Sequence, residues 1–184
     1  MKIIDPLARP LESPALVTIP MRDGVMLSAR LWLPVLAPGE RVPAIVDCHP
    51  YRVTDSSAIG NSRVYPYYAA HGYGCLRVDL RGSGNSEGIL RDEYLAQEQD
   101  DGVDVINWCA TQEWCTGAVG WTGISWGGFA ALQEMLAAPQ HSRQSSLSVP
   151  PMTATLTTST TAASNHNARD RNAFGVSLRY ATEL

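Results

Sequence analysis

Apolar residues recur along this chain in two periods. Short apolar runs at residues 15–20, 25–33, 43–48, 74–79 and 118–122, each bounded by Gly, Pro or polar residues, predict β-strands. Between them, wider spacing predicts helices over about 65–71, 94–112 and 129–138. In the second helix Leu95, Val103, Ile106 and Trp108 take the inward positions and Glu98, Asp100, Asp101 and Asp104 the solvated face; in the third, Phe129, Leu132 and Leu136 turn inward. Arg22-Asp23-Gly24 joins the first two strands, and its Asp-Gly pair suits a hairpin turn. Pro38-Gly39 makes the next turn, Pro66 fits the first turn of its helix, and Gly72 closes that helix. Residues 1–14 hold three prolines and no period, which predicts an arm lying over the domain edge. Strands alternating with helices on short loops predict a doubly wound, mostly parallel α/β sheet preceded by an antiparallel hairpin.

The pattern stops after about residue 139. Residues 140–164 are nearly half Ser and Thr with no apolar run, so they lack the means to build a core. Residues 15–139 therefore read as the folded part and 140–184 as an unstructured tail. Ile45, Val46, Val78, Val119, Leu132 and Leu136 would then face the uncovered side of a half-built sheet.

Composition narrows the function classes. With 45% hydrophobic and 17% charged residues the chain is that of a soluble globular domain, and a net charge of −4 without a basic patch speaks against nucleic acid. No apolar run reaches membrane length and the N-terminus has no leader-like apolar region, which predicts a cytoplasmic protein. Cys48, Cys75, Cys109 and Cys115 show no C-x-x-C spacing; three fall in predicted buried elements and read as core thiols in a reducing compartment, with no metal or other cofactor implied. Lys2 is the only lysine beside many arginines, which suggests GC-rich coding DNA.

The candidate chemistry sits at Gly123-Ile124-Ser125-Trp126-Gly127, a G-x-S-x-G sequence between a strand and a helix. A residue pinned in so tight a turn crowds the positions two before and two after it, and glycine relieves that crowding. Ser125 is thus the candidate nucleophile, raised above the sheet edge with a helix N-terminus behind it. Two other sheet-edge segments carry polar groups. His49-Pro50-Tyr51-Arg52 follows a buried strand. Gly82-Ser83-Gly84-Asn85-Ser86-Glu87-Gly88 follows another, but lacks the third glycine and the following helix of a dinucleotide loop, and reads as a tight connection braced by an Asp79–Arg81 pair.

In their order these motifs resemble the N-terminal half of the cocaine esterase and X-prolyl dipeptidyl aminopeptidase group of α/β-hydrolases. The matching residues are Met21-Arg22-Asp23-Gly24-Val25, His49-Pro50-Tyr51, Asp79-x-Arg81-Gly82-x-Gly84-x-Ser86-x-Gly88, Gln112-x-Trp114-Cys115-x-Gly117 and Gly123-Ile124-Ser125-Trp126-Gly127-Gly128. The resemblance spans about residues 17–138. It implies acyl transfer from a small ester or peptide substrate through an acyl-enzyme on Ser125, without a cofactor. It also implies an oxyanion held by the Trp126 backbone N–H and the Tyr51 hydroxyl.

One departure from that pattern is explicit. The fold requires Ser, then an acid, then His, whereas after Ser125 come His141, His166 and only then Asp170. His49 and His71 precede the elbow and read as turn and cap residues. The acid and the base are thus absent from this stretch, and the α/β-hydrolase reads as incomplete in its C-terminal half. Shifted codons in the back-translated tail can spell an apolar strand, Ile-Ile-Pro-Val, which predicts a frameshift near residues 139–141.

Overall fold

The computed structural model describes residues 8–55, 58–137, 145–149 and 152–156. Strands β1 (Ala15–Pro20) and β2 (Met26–Trp32) form an antiparallel hairpin, followed by β3 (Val42–His49), helix α1 (Ala58–Ala70), β4 (Gly74–Asp79), α2 (Ala96–Thr111), β5 (Cys115–Trp121) and α3 (Trp126–Ala137). The sheet order is β1-β2-β4-β3-β5. Pairing is antiparallel from β1 to β2 and from β2 to β4, and parallel where β3 meets β4 and β5. This is a mixed five-stranded α/β sheet with the expected hairpin, and β3 lies between the two strands whose C-terminal ends lead into glycine-rich turns.

Side chains alternate across the sheet, so each strand feeds two cores. Leu27, Ala29, Val46, Cys48, Leu76, Val78 and Val119 point to one face, where Val105, Ile106 and Cys109 of α2 and Ala131 of α3 cover them. Trp32 and Cys75 point to the other, against Tyr65 and Ala69 of α1, with the Trp32 and Tyr65 rings stacked at 5.0 Å. Val46, Val78 and Val119, expected to face an open side, are buried, and Ile45 is partly buried against the α1 core. The side chains of Leu132 and Leu136 lie outside those described. Close packing also explains Gly74: a Cβ there would lie 2.3 Å from the Trp114 ring.

Several local expectations need correction. Helix α1 starts at Ala58 rather than 65, and Pro66 sits inside it. The poor helix formers Gly60, Asn61 and Ser62 hide that first half in the sequence. In α2 the buried face is Glu98, Asp101, Gly102, Val105, Ile106 and Cys109, a continuous i, i+3, i+4 stripe. Leu95 is 39% exposed and precedes the helix, and Phe129 is 52% exposed. Two acids expected in solvent therefore point inward, because each finds donors there. Asp101 takes Arg81 at 2.6 Å, and Arg81 also reaches Asp23 at 2.8 Å. The expected Arg81–Asp79 pair does not form; Arg81 instead ties the hairpin turn to α2. Arg22 adds to that clamp through Asp100 and Asp104 at 3.0 and 2.8 Å; Asp100 does lie on the outer face, whereas the Asp104 side chain is largely covered, 14% exposed.

The described part of the N-terminal arm is sewn to the domain edge: Arg9 N–H donates to Ala70 O, Glu12 N–H to Leu33 O and Val35 N–H to Pro10 O. In the tail expected to be unstructured, Ser145–Val149 (β6) and Met152–Leu156 (β7) form an antiparallel hairpin. It makes its own two-stranded sheet and does not extend the five-stranded one. Alternating Ser, Thr and apolar residues suit such a ribbon, which needs less apolar surface than a core strand. The other residues of 140–184, with His141, His166 and Asp170, lie outside the described residues.

Candidate active site

Strand β5 brings the chain to the edge, and Thr122 N–H donating to Val46 O at 2.8 Å prolongs its ladder with β3 by one more bond. The chain then turns within four residues into α3. Ser125 takes φ +56°, a left-handed conformation uncommon for any residue with a Cβ. What holds it there is helix initiation: the Ser125 carbonyl accepts the N–H groups of Gly128 and Phe129 at 3.0 and 3.1 Å.

Gly123 is sterically required and Gly127 leaves little room for a side chain. A Cβ on Gly123 would stand 2.3 Å from the carbonyl carbon and oxygen of Gly127. One on Gly127 would press on β3, with Asp47 Oδ1 at 3.1 Å and Cys48 O at 3.3 Å. The turn closes on itself and rests on β3, which leaves Ser125 exposed to solvent. Trp126, the first residue of α3, has no carbonyl four residues back within the helix to receive its N–H.

Tyr51 leaves β3 by the same edge, since β3 and β5 are parallel neighbours. It is 43% exposed, its ring lies 4.8 Å from that of His49, and its N–H donates to His49 Nδ1 at 3.2 Å. His49 also accepts from the Arg77 guanidinium at 2.5 Å on Nδ1, so its own proton belongs on Nε2, 3.8 Å from Asp47 Oδ2. Burial, and then the Arg77 charge, push its pKa down to about 3, leaving a neutral ring committed to structure. Asp47 is pushed up to about 6 by burial, which Arg77 and the Tyr65 hydroxyl donating to Asp47 oppose. His71, at the end of α1, has Nδ1 2.7 Å from Tyr67 O. Both described histidines thus have an Nδ1 engaged locally.

The α2 side of the elbow is held by contacts that the reading of Glu98 as a solvated acid missed. Glu98 Oε1 accepts the Trp126 indole N–H at 2.9 Å, and Oε2 accepts the Tyr94 backbone N–H at 2.9 Å. Tyr94, itself at φ +58°, sets its ring 5.5 Å from Trp126 and 5.8 Å from Phe129. Burial raises the Glu98 pKa, and these two donors act to lower it. A signal did exist: Glu98 falls on the Gly102, Val105, Cys109 stripe. Beside it opens a cleft of about 430 Å³ between the 88–92 loop and the start of α2, lined by Arg81, Ile89, Leu90 and Leu95 among others. Among the described residues no group of three His, Cys, Asp or Glu is placed to hold a metal ion, and no helix is long and apolar enough to cross a membrane.

A serine at positive φ between a parallel strand and a helix, over an α/β sheet, has the strand–turn–helix geometry of the α/β-hydrolase class. Solved structures share this fold. A CocE/NonD family hydrolase from Staphylococcus aureus superposes with a TM-score of 0.61 at 22% identity, over 73% of this chain and 26% of its own. An alpha-amino acid ester hydrolase superposes with a TM-score of 0.59 at 23% identity, over 79% of this chain and 26% of its own. The family model of X-Pro dipeptidyl-peptidase (S15 family) matches residues 23–173, and the chain belongs to that family of serine esterases and peptidases. The match continues past residue 139, where the motifs alone end the resemblance. Cocaine esterase of a Rhodococcus species is 35% identical over 120 residues, 64% of this chain and 20% of that protein. The chain spans about a fifth of the length of the curated relatives it matches.

Proposed function

We propose that this chain carries the nucleophile half of a serine hydrolase site that cleaves an ester or amide, an X-Pro peptide among them, through an acyl-enzyme on Ser125. Ser125 at φ +56°, in a turn where a Cβ on Gly123 would stand 2.3 Å from the Gly127 carbonyl, is the observation that carries the reading. Its Oγ attacks the substrate carbonyl, the C–O or C–N bond to the leaving group breaks, and water then releases the acyl group. Developing negative charge on the carbonyl oxygen is met by the Trp126 N–H at the start of α3 and by the Tyr51 hydroxyl from the neighbouring strand. The general base comes from outside the described residues.

A second reading, an elbow retained without turnover, is favoured by the residue order after Ser125, where Asp170 follows both His141 and His166. A fluorophosphonate probe separates the two, because it reacts only with an activated serine. Labelling that disappears in Ser125→Ala supports the hydrolase. Equal labelling of both forms, or none, supports the second reading.

A further inference from the structure

We propose that Glu98 is a positioning residue for the nucleophile elbow, acting by gripping the indole of the residue that follows Ser125. The role rests on the reading of the Trp126 N–H as an oxyanion donor, but the grip itself is independent of it.

Three observations converge. First, Glu98 is a buried acid, 7% exposed, with both oxygens used: one on the Trp126 indole, 28 residues away, and one on the Tyr94 N–H. An acid is costly to bury unless its oxygens are met by donors, and a carboxylate acceptor makes a stronger bond to an indole N–H than a neutral oxygen would. Second, Trp126 is the hinge of the turn. Its Cα stands between the strained Ser125 and Gly127, which sits so near β3 that a Cβ there would lie 3.1 Å from Asp47 Oδ1. With Gly127 fixed on one side and the indole fixed on the other, the peptide plane between Ser125 and Trp126 loses its freedom to rotate, and so does the N–H it carries. Third, the grip is backed from behind. Tyr94 packs its ring against both Trp126 and Phe129, so the carboxylate, the Tyr94 backbone and two aromatic rings of α3 form one closed circuit.

α2 is held in turn by Asp101, whose Arg81 partner spans to the hairpin turn at Asp23. The elbow's orientation is thereby tied through α2 to the turns after β1 and β4. An oxyanion donor displaced by even a small angle loses most of its value, since it must meet the oxygen where the charge develops.

The test is amide hydrogen exchange by mass spectrometry on the 184-residue chain, read at Gly128 and Phe129, whose N–H groups donate to the Ser125 carbonyl. Glu98→Gln keeps an acceptor oxygen and should speed their exchange a few-fold; Glu98→Leu, with none, should speed it tenfold or more. Protection of β3 and β4 stays unchanged in both. In a Trp126→Phe background, which has no indole N–H, the two Glu98 variants should add nothing further at these sites. Unchanged exchange at Gly128 and Phe129, or additive effects in the Trp126→Phe background, overturns the proposal. Turnover of p-nitrophenyl acetate is then measured on the same variants. A fall in kcat with KM held, graded Gln before Leu, supports the positioning role. A change in KM alone overturns that role. If the parent chain shows no Ser125-dependent turnover, the reading of an elbow retained without turnover stands, and the exchange result alone decides whether Glu98 holds the elbow.

Discussion

Two glycine-rich turns leave this sheet on either side of β3, one after β4 and one after β5, and they use their glycines for opposite ends. The 79–88 turn folds in on itself. Asp79, wholly buried, accepts the N–H groups of Val53 at 2.7 Å and Asn85 at 3.3 Å, Ser86 Oγ donates to the Asp79 carbonyl, and Gly82 N–H donates to Glu87 O. Much of its polar backbone is spent within the turn or on β2, where Glu87 N–H donates to Met26 O, and a Cβ on Gly84 would fall 2.0 Å from Asp79 Oδ2. The 122–128 turn packs its backbone as tightly but leaves its serine in solvent and its first helical N–H outside the helix ladder. A glycine-rich loop at a strand end is therefore a ligand site only when its polar groups are left unspent, and the number of glycines does not tell the two cases apart.

Each turn can be broken at its own point. The largest effect expected is on chemistry alone: Ser125→Ala in a turnover-competent form should lower kcat/KM by about 10⁶, about 8 kcal/mol, with the melting temperature unchanged. Calorimetry beside the esterase assay checks both halves of that statement. Next comes the closed turn. Asp79→Ala leaves Arg77, also wholly buried, without the carboxylate 3.9 Å away, and should cost about 3–5 kcal/mol in urea denaturation while leaving any probe labelling of Ser125 in the remaining folded protein intact.

On the proposed oxyanion role of Tyr51, Tyr51→Phe should lower kcat by about 10²-fold or more with a smaller change in KM. An unchanged kcat returns Tyr51 to packing against His49. Gly84→Ala, strained at φ +55° and crowding Asp79, should destabilise by roughly 1–2 kcal/mol from backbone strain alone, the lesser injury to the same turn.

The smallest effect is a pH dependence beneath the elbow. His49 titrates at about 3 in the fold against 6.5 when free, so the unfolded chain gains a proton the fold refuses, and stability falls as pH drops from 6.5 towards 3. Asp47, at about 6 against 3.8, acts in the other direction: the fold keeps a proton that the unfolded chain has lost, and stability falls as pH rises from 3.8 to 6. The His49 shift is larger, so acid should win. Melting curves of His49→Gln between pH 4 and 7 should lose that acid sensitivity and show the opposite slope left by Asp47.

The strands and the elbow were legible in the sequence because they depend on local signals: short apolar runs, an Asp-Gly turn, and glycines two positions either side of Ser125. The α2 register was not, because its buried face includes Glu98 and Asp101. An acid is read as solvated until its donors are known, and those donors, Trp126 and Arg81, come from segments 28 and 20 residues away. The start of α1 was hidden for a related reason: Tyr65 and Ala69 pack on Trp32 and Cys75, and that burial outweighs the weak propensity of residues 60–62. In the 79–88 loop, the Asp79–Arg81 pairing expected from proximity gave way to Arg77 for Asp79 and to Asp23 and Asp101 for Arg81. Alternation explains this, since neighbours two apart in a strand share a face whereas Arg81 has already left the strand.

The four cysteines, all buried thiols without a disulfide, stand one each in β3, β4, α2 and β5. Burial lifts the pKa of Cys75 to about 12 and raises that of Cys109 and Cys115, so little of the reactive thiolate forms while the fold is closed. The molecule therefore carries its own set of chemical stopwatches. The rate at which an alkylating reagent reaches each sulfur times the opening of the element that holds it, and Cys48, one residue before His49, times the strand on which the elbow rests.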